Sequence, residues 1–559
     1  DPIYQAQEAG SPEGVGLLGA MIVLLIAFGS VVAAGLPLAI AIVGLGISSG
    51  GLILLLANVV DVPDWTTAVS GLIGIGVGID YALLVLTRYR AAAASGKDRH
   101  DAIVEAVSTA GRSVIVAGGT VVIAICGLFL TGLPYMYGVA LSASLAVLVV
   151  MVAAITLLPA LLSYLGPRVD RLRLPFLGRT LRAEGDSNSP AARWSHAVQR
   201  RPWPAAILSA IVLLALAAPA LGMRLGFPDA GNDPEDTMTR QAYDLIAEGF
   251  GPGTNGPLVV ATELTGDGAQ DELDAFAADL RATDGIQFVA DPVVNDAGTA
   301  AFVTAIPTTS PQDPATEDLV RDLRETVIPE SLSGTGVTAY VGGVTAALED
   351  QSEYVKDKMP LFIAGVVGLS FLLLLVAFHS PLIALKAGIM NLLSVGAAYG
   401  VMTLVADGGA VGQLIGIDNE VPIAPFMPVM MFAILFGLSM DYEVFLISRI
   451  REEYLKDGDT RRAVADGLAK TARVITAAAA IMVVVFLAFV TAPDTFLKLF
   501  GIGLATAVFL DATLVRMVLV PAVMQLLGDR NWWIPHWLER RLPRLEMEPP
   551  GPRGAESRP

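Results

Sequence analysis

Two aspartates stand where charge is expensive. Asp80 lies inside the apolar run 72–86 and Asp441 inside 426–447, and each is followed by a tyrosine, Tyr81 and Tyr442. A carboxylate at bilayer depth is costly unless it is paired, hydrated or protonated. A carboxyl held at that balance can take up and give back a proton, and a phenol beside it can hold it or reach across to another carboxylate. The pattern predicts a proton relay of Asp80, Tyr81, Asp441 and Tyr442. The plainer alternative is that these acids only lock helices together. Arg88 and Arg449 each follow eight residues later, about 12 Å along a helix, so neither acid sits at the membrane surface. A further charged pair, Asp511 and Arg516, lies in the last apolar run. Five residues is not the i,i+4 spacing of a direct pair, which favours partners on other helices. A mutual ion pair and a share in the relay both stay open.

Gly71, Gly74, Gly76 and Gly78 precede Asp80. No strand comes before them, so they are read as helix packing rather than a dinucleotide fingerprint, with Gly74, Gly76 and Gly78 letting a neighbour approach the relay. "GLAKTA" at Gly467 lacks the first glycine of a phosphate loop. Cys126 is the only cysteine and the four histidines are scattered, so neither a disulfide nor a His/Cys metal site is expected. No Ser/His/Asp arrangement with a nucleophile elbow is present. Neither enzymatic activity nor a cofactor is expected; protons are the coupling ion.

The elements that carry these residues follow from composition. Of 559 residues, 54% are hydrophobic and 16% charged, where soluble domains carry about a quarter charged. Mean hydropathy is +0.62. A disordered chain, a coiled coil and a typical cytosolic enzyme are excluded, and a polytopic membrane protein is indicated. The net charge of −18 argues against nucleic acid as a partner.

A span needs about 20 apolar residues. Runs that qualify are 15–35, 37–57, 66–87, 112–131, 136–165, 204–223, 359–378, 382–405, 424–447, 472–491 and 497–527. If these eleven alternate, the basic loops all fall on one side. They hold Arg88 to Arg112, Arg168 to Arg201, Arg449 to Arg473 and the tail from Arg530. That side is cytoplasmic. The block Asp229–Asp350, with 23 acids, four arginines and no lysine, falls outside as a solvated domain. Within it, strands are expected at 257–264, 286–294, 300–307 and 337–341, with helices at 270–283 and 315–327, a β-α-β-β-α-β order of the ferredoxin-like kind. The stretch 344–359 reads as a helix entering the next span. The amphipathic stretches 101–111 and 461–471 are expected to lie on the inner face, and Trp532, Trp533 and Trp537 to anchor at an interface.

Residues 14–166 and 361–528 resemble each other. "AFGS" at Ala27 matches "AFHS" at Ala377; "GIDYALLVLTRYR" matches "SMDYEVFLISRIR"; "LPALLSYLG" matches "VPAVMQLLG". Both copies run in one direction, so the repeat is parallel, with function expected at the interface of the halves. The expected organisation is 1–13, an extracytoplasmic segment; 14–166, a first half of five helices; 167–203, a basic cytoplasmic linker; 204–223, a helix opening the second half; 224–357, the outer domain; 358–528, a second half of five helices; and 529–559, a partly disordered cytoplasmic tail. Parity and repeat each predict a further helix and outer domain ahead of Asp1.

The paired "GIDY" and "SMDYEVFLISRIREEY" motifs, "DATLVR" and "LLGDRNWWIP" resemble the MMPL family of the resistance–nodulation–division (RND) superfamily, over about residues 14 to 540. The resemblance implies a mainly α-helical RND/MMPL membrane core with a parallel pseudo-twofold repeat. Of twelve helices in the intact protein, about eleven would be present, with one α/β ferredoxin-like porter domain outside. It implies a multi-pass protein of the bacterial plasma (inner) membrane that exports lipids or other hydrophobic small molecules on the proton gradient. Asp80, Tyr81, Asp441 and Tyr442 would be the relay, and Asp511 and Arg516 the family's last-helix pair. Rival readings are a lipid-binding sensor with a sterol-sensing-like core and an accessory of protein secretion. Membrane lipids and an apolar substrate are the expected partners; self-association is left open.

Overall fold

The computed structural model describes residues 12–172, 190–265 and 268–542. The segment before the first span, the middle of the basic linker and the tail after Leu542 therefore lie largely outside the described residues.

The membrane part begins with α1 (Pro12–Phe28), α2 (Val31–Leu56), α3 (Thr66–Ala94), α4 (Arg99–Thr131) and α5 (Pro134–Leu165). Helix α6 (Pro190–Arg200) leads into α7 (Pro202–Gly222). Among the described residues ten helices are long and apolar enough to cross a bilayer, and α1 is an apolar helix of 17 residues beside them.

The outer domain contains α8 (Met238–Phe250), β1 (Leu258–Leu264), α9 (Ala269–Ala282), β2 (Ile286–Val289), β3 (Val293–Val294), β4 (Ala300–Pro307), α10 (Pro314–Asp322) and β5 (Val337–Gly342). The sheet is antiparallel in the order β2-β4-β1-β5, with β3 on β4. This is the ferredoxin-like arrangement expected. Leu273, Phe276, Ala277 and Leu280 line the buried face of α9, recurring at helical spacing. They enclose a core with Leu258, Val260 and Val303 that is separate from the membrane core. The expected strand 286–294 is split into β2 and β3 at residues 290–292, where Pro292 has no N–H to give to the ladder.

The chain then enters α11 (Val344–Phe378), one unbroken helix from the sheet into the membrane, followed by α12 (Pro381–Ala406), α13 (Phe426–Asp457), α14 (Thr460–Thr491) and α15 (Thr495–Trp532). A short parallel bridge, Leu225 to Ile423, ties the segment after α7 to the approach of α13.

The repeat is visible as paired clasps. Arg90 donates to Phe28 O at 3.3 Å, and Arg451 to Phe378 O at 3.0 Å. Ser30 caps α2 and donates to Val169 O, while Ser380 caps α12 and donates to Asn531 O. Gly166 and Gly528 share one positive-φ conformation.

Two expectations are corrected. The first two spans divide at Gly29–Ser30, not near residue 36. Gly29 takes φ +65° and Ser30 caps α2, leaving Pro37 inside the helix. Residues 101–111 and 461–471 are not surface helices. They are the first turns of α4 and α14, and Ala463, Val464, Gly467, Leu468 and Thr471 are buried. The described end of the linker is helical, with Trp194 donating to Met517 O at 3.0 Å. Trp532 stacks on Tyr454 at 5.0 Å, whereas Trp533 and Trp537 are exposed.

Candidate functional site

Helices α3 and α13 are almost wholly enclosed by the others. Two glycines permit this, each four residues before an aspartate and equivalent in the repeat. A Cβ on Gly437 would lie 2.9 Å from Val121 Cα of α4, and one on Gly76 would lie 3.3 Å from the Phe486 ring of α14. Each central helix thus presses on a helix of the opposite half. Gly78 is tight against Val150 of α5 and Ala41 of α2, while a Cβ on Gly74 would make only ordinary contact with Ala146. Gly437 went unremarked in the sequence, although its equivalence to Gly76 marks it.

The two Asp-Tyr pairs meet inside this enclosure, all four residues being buried. Tyr442 of the second half donates its hydroxyl to Asp80 Oδ2 of the first. The reciprocal bond is not made. Tyr81 Oη, Asp80 Oδ1 and Asp441 Oδ1 have no hydrogen-bond partner among the described residues. A phenol–carboxylate bond is charge-assisted and strengthens away from water. One such bond, with three buried polar atoms unengaged, is a site with more than one way of pairing.

Asp511 and Arg516 join the same cluster from α15. Arg516 donates to Asp511 from Nε at 2.7 Å, and its Nη2 lies 2.6 Å from the same oxygen. Nη2 also donates to Ser439 O and, at 3.2 Å, to Ser439 Oγ. The guanidinium carbon lies 4.9 Å from the Tyr442 ring centroid, within cation–π range. The direct pair, which the spacing disfavoured, forms because Asp511–Leu519 is a π-helix. Its wider i→i+5 turn brings the fifth residue back over the first. The expected partner on another helix is present as well.

Sequence reasoning passed over the rest of the polar cluster. Ser439 donates to Asn391 Oδ1 of α12 at 2.6 Å. Lys386 of α12 lies 4.0 Å from Glu443 of α13, both buried. The rule that singled out Asp80 applies equally to a lysine in the apolar run 382–405. A small cavity lined by Asn391, Ser439, Tyr442, Asp511 and Arg516 has about 20 Å³ open to the centre of a water molecule, room for one water.

Outside the membrane, Arg224 pairs with Glu420 at 2.6 Å and donates to Gln312 O at 2.6 Å, fastening the outer domain to the loop before α13. Asp229 nearby is held above the usual carboxylate range, chiefly by burial.

The MMPL family model matches residues 4–207 and 233–546. The chain is 37% identical over 551 residues to the membrane protein YdfJ of Bacillus subtilis, covering 98% of this chain and 74% of that one. It is 36% identical over 539 residues to the mycolic acid-containing lipids exporter MmpL11 of Mycolicibacterium smegmatis, covering 95% of this chain and 56% of that one. It therefore spans little more than half the length of the MmpL11 protein. Among solved structures it is similar in fold to SecDF, a translocon-associated membrane protein from Thermus thermophilus. The TM-score is 0.53 at 15% identity, over 92% of this chain and 61% of that one.

Proposed function

The chain belongs to the MMPL family and is a multi-pass bacterial membrane protein, and from that premise we propose that it drives export of lipids or other hydrophobic small molecules with the proton gradient. The observation that carries the reading is the bond from Tyr442 to Asp80, which joins the two halves at a buried carboxylate. Protonation of Asp80 and Asp441 from the outer side removes the charge that Tyr442 and Arg516 hold. The halves then re-pair and rock, and release on the basic, inner side resets them. Each proton carries about 2.3 kcal/mol per 100 mV of membrane potential. Helix α11 runs without a break from β5 into the membrane, a rigid lever by which rocking moves the porter domain. A lipid as substrate is supported by the MmpL11 relative, described as an exporter of mycolic acid-containing lipids.

Proteoliposomes loaded with a fluorescent apolar probe and placed under an imposed pH gradient test the reading. Gradient-driven flux is expected in the wild type and should be lost in Asp80→Asn and in Asp441→Asn, with both variants folded. Flux indifferent to the gradient and to both substitutions would overturn it and favour a lipid-binding sensor.

A further inference from the structure

At the ends of α3 and α13 nearest the outer domain, four aromatic rings meet. Trp65 and Phe426 each stand fifteen residues before the aspartate of their half. Tyr135 and Phe496 are each the second residue of the fifth helix of their half. Trp65 stacks on Phe426 with centroids 5.0 Å apart and planes 10° from parallel. Phe496 lies 5.7 Å from Trp65 and 5.6 Å from Phe426, and Tyr135 meets Phe426 edge-on at 6.3 Å. Three of these four contacts cross from one half to the other. Aromatic residues at a membrane surface commonly anchor among lipid headgroups. These face one another instead. Equivalent residues of a twofold repeat touch where its axis passes, so the Trp65–Phe426 stack marks the pseudo-axis at the outer end.

Both connections of the outer domain reach this cluster. Phe227, in the segment after α7, lies 6.0 Å from Phe426, and Gln351 of α11 donates to the Tyr135 hydroxyl at 2.5 Å. All four rings of the quartet are half-buried. Contacts between ring faces are apolar. The stack can therefore open and close without stranding a buried donor or acceptor, which a membrane interior penalises.

The central helices turn this place into the long arm of a lever. Gly76 and Gly437 press on Phe486 and Val121 of the opposite half. These contacts lie eleven residues from the stack and four from the aspartates, about 16 Å and 6 Å along each helix. A tilt of α3 against α13 about the glycines moves the rings about three times as far as the carboxylates.

We propose that the Trp65–Phe426 stack is the outer latch of the rocking cycle. It is closed while Tyr442 holds Asp80, and it parts when the carboxyls take up protons, shifting both connections of the outer domain together. Phe496 and Tyr135 close around the stack and part with their own halves. The latch rests on the proton-driven reading above.

Paired cysteines joined by a reducible bifunctional reagent test it, in the whole chain carrying Cys126→Ser. In Trp65→Cys/Phe426→Cys the link bridges the halves. Gradient-driven flux in proteoliposomes should fall about tenfold or more and return on reduction. In Phe426→Cys/Phe496→Cys the link lies within the second half, and linked and reduced forms should transport alike. Flux that survives the first link, or is stopped equally by both, would overturn the latch. A second measurement keeps the rings in place. In a variant whose five other tryptophans are phenylalanine, iodide should quench Trp65 more strongly with Asp80→Asn, which carries no charge, than with Asp80 present at neutral pH. Equal quenching would overturn the latch even where the cysteine variants do not transport. Flux indifferent to Asp80→Asn marks instead the failure of the proton-driven reading, and the latch falls with it.

Discussion

Tyr442 donates its hydroxyl to Asp80 across the boundary between the halves, while Tyr81, its equivalent in the repeat, has no hydrogen-bond partner for its own hydroxyl among the described residues. The two tyrosines are equal in sequence and unequal in structure. Tyr442→Phe should cost about 1–2 kcal/mol of stability, the loss of a buried bond to a carboxylate, and abolish gradient-driven flux. Tyr81→Phe should cost less in thermal unfolding, because no bond is broken. Equal destabilisation by the two substitutions would contradict the asymmetry.

Arg516 is buried, pairs with Asp511 and holds Ser439. Arg516→Met leaves Asp511 charged and unpaired, which should cost about 3–5 kcal/mol. Adding Asp511→Leu should recover most of that loss. The folded fraction against temperature measures both variants, and failure of the second substitution to rescue would show that the arginine acts mainly through Ser439.

At Gly437 a new methyl group would meet backbone of α4, which cannot swing aside. Gly437→Ala should destabilise by about 1–3 kcal/mol through overpacking. Gly35→Ala, where nothing lies within 4 Å, should be neutral or gain up to about 1 kcal/mol from helix propensity. Midpoints of thermal unfolding for the two variants should move in opposite directions or differ clearly in size.

His379 holds φ +53° at the position where the first half has Gly29 at φ +65°. A left-handed backbone costs a residue with a Cβ about 1–2 kcal/mol. His379→Gly should raise the unfolding midpoint, and a fall would mean that the imidazole contributes more than the strain removes.

Asp229 has its carboxyl raised above the ordinary range, chiefly by burial, against a hydrogen bond from Gly231 N at 2.8 Å. The folded state therefore binds this proton more tightly than the unfolded one. Its contribution is complete below the ordinary carboxylate value and is lost as pH rises through the raised one. Asp229→Asn should flatten the pH dependence of local protection around residues 229–243, read by hydrogen exchange. An unchanged slope would place the proton elsewhere.

Much of this was readable in the linear chain because the signals are coarse and costly to violate. An apolar run of membrane length, a carboxylate within it and basic residues on alternate loops each carry several kcal/mol. The outer domain's order of strands and helices followed from period alone. Boundaries were weaker. The runs 15–35 and 37–57 put a break near residue 36 that Ser30 in fact makes, and the equivalent Ser380–Pro381 already marked the right place. Lys386 and Glu443 were hidden by their long side chains and by apolar neighbours that read as ordinary span.

Sequence by itself determined the mainly helical membrane core, its internal repeat, the separate α/β domain and the presence of two Asp-Tyr pairs in apolar runs. Only the tertiary structure decided how those pairs meet. The choice of Tyr442 over Tyr81 depends on hydrogen-bond geometry between helices 362 residues apart in the chain. The Asp511–Arg516 contact depends on a π-turn that local spacing does not announce. Such choices turn on ångström-scale direction, whereas hydrophobic burial, which built the scaffold, is non-directional and scales with area.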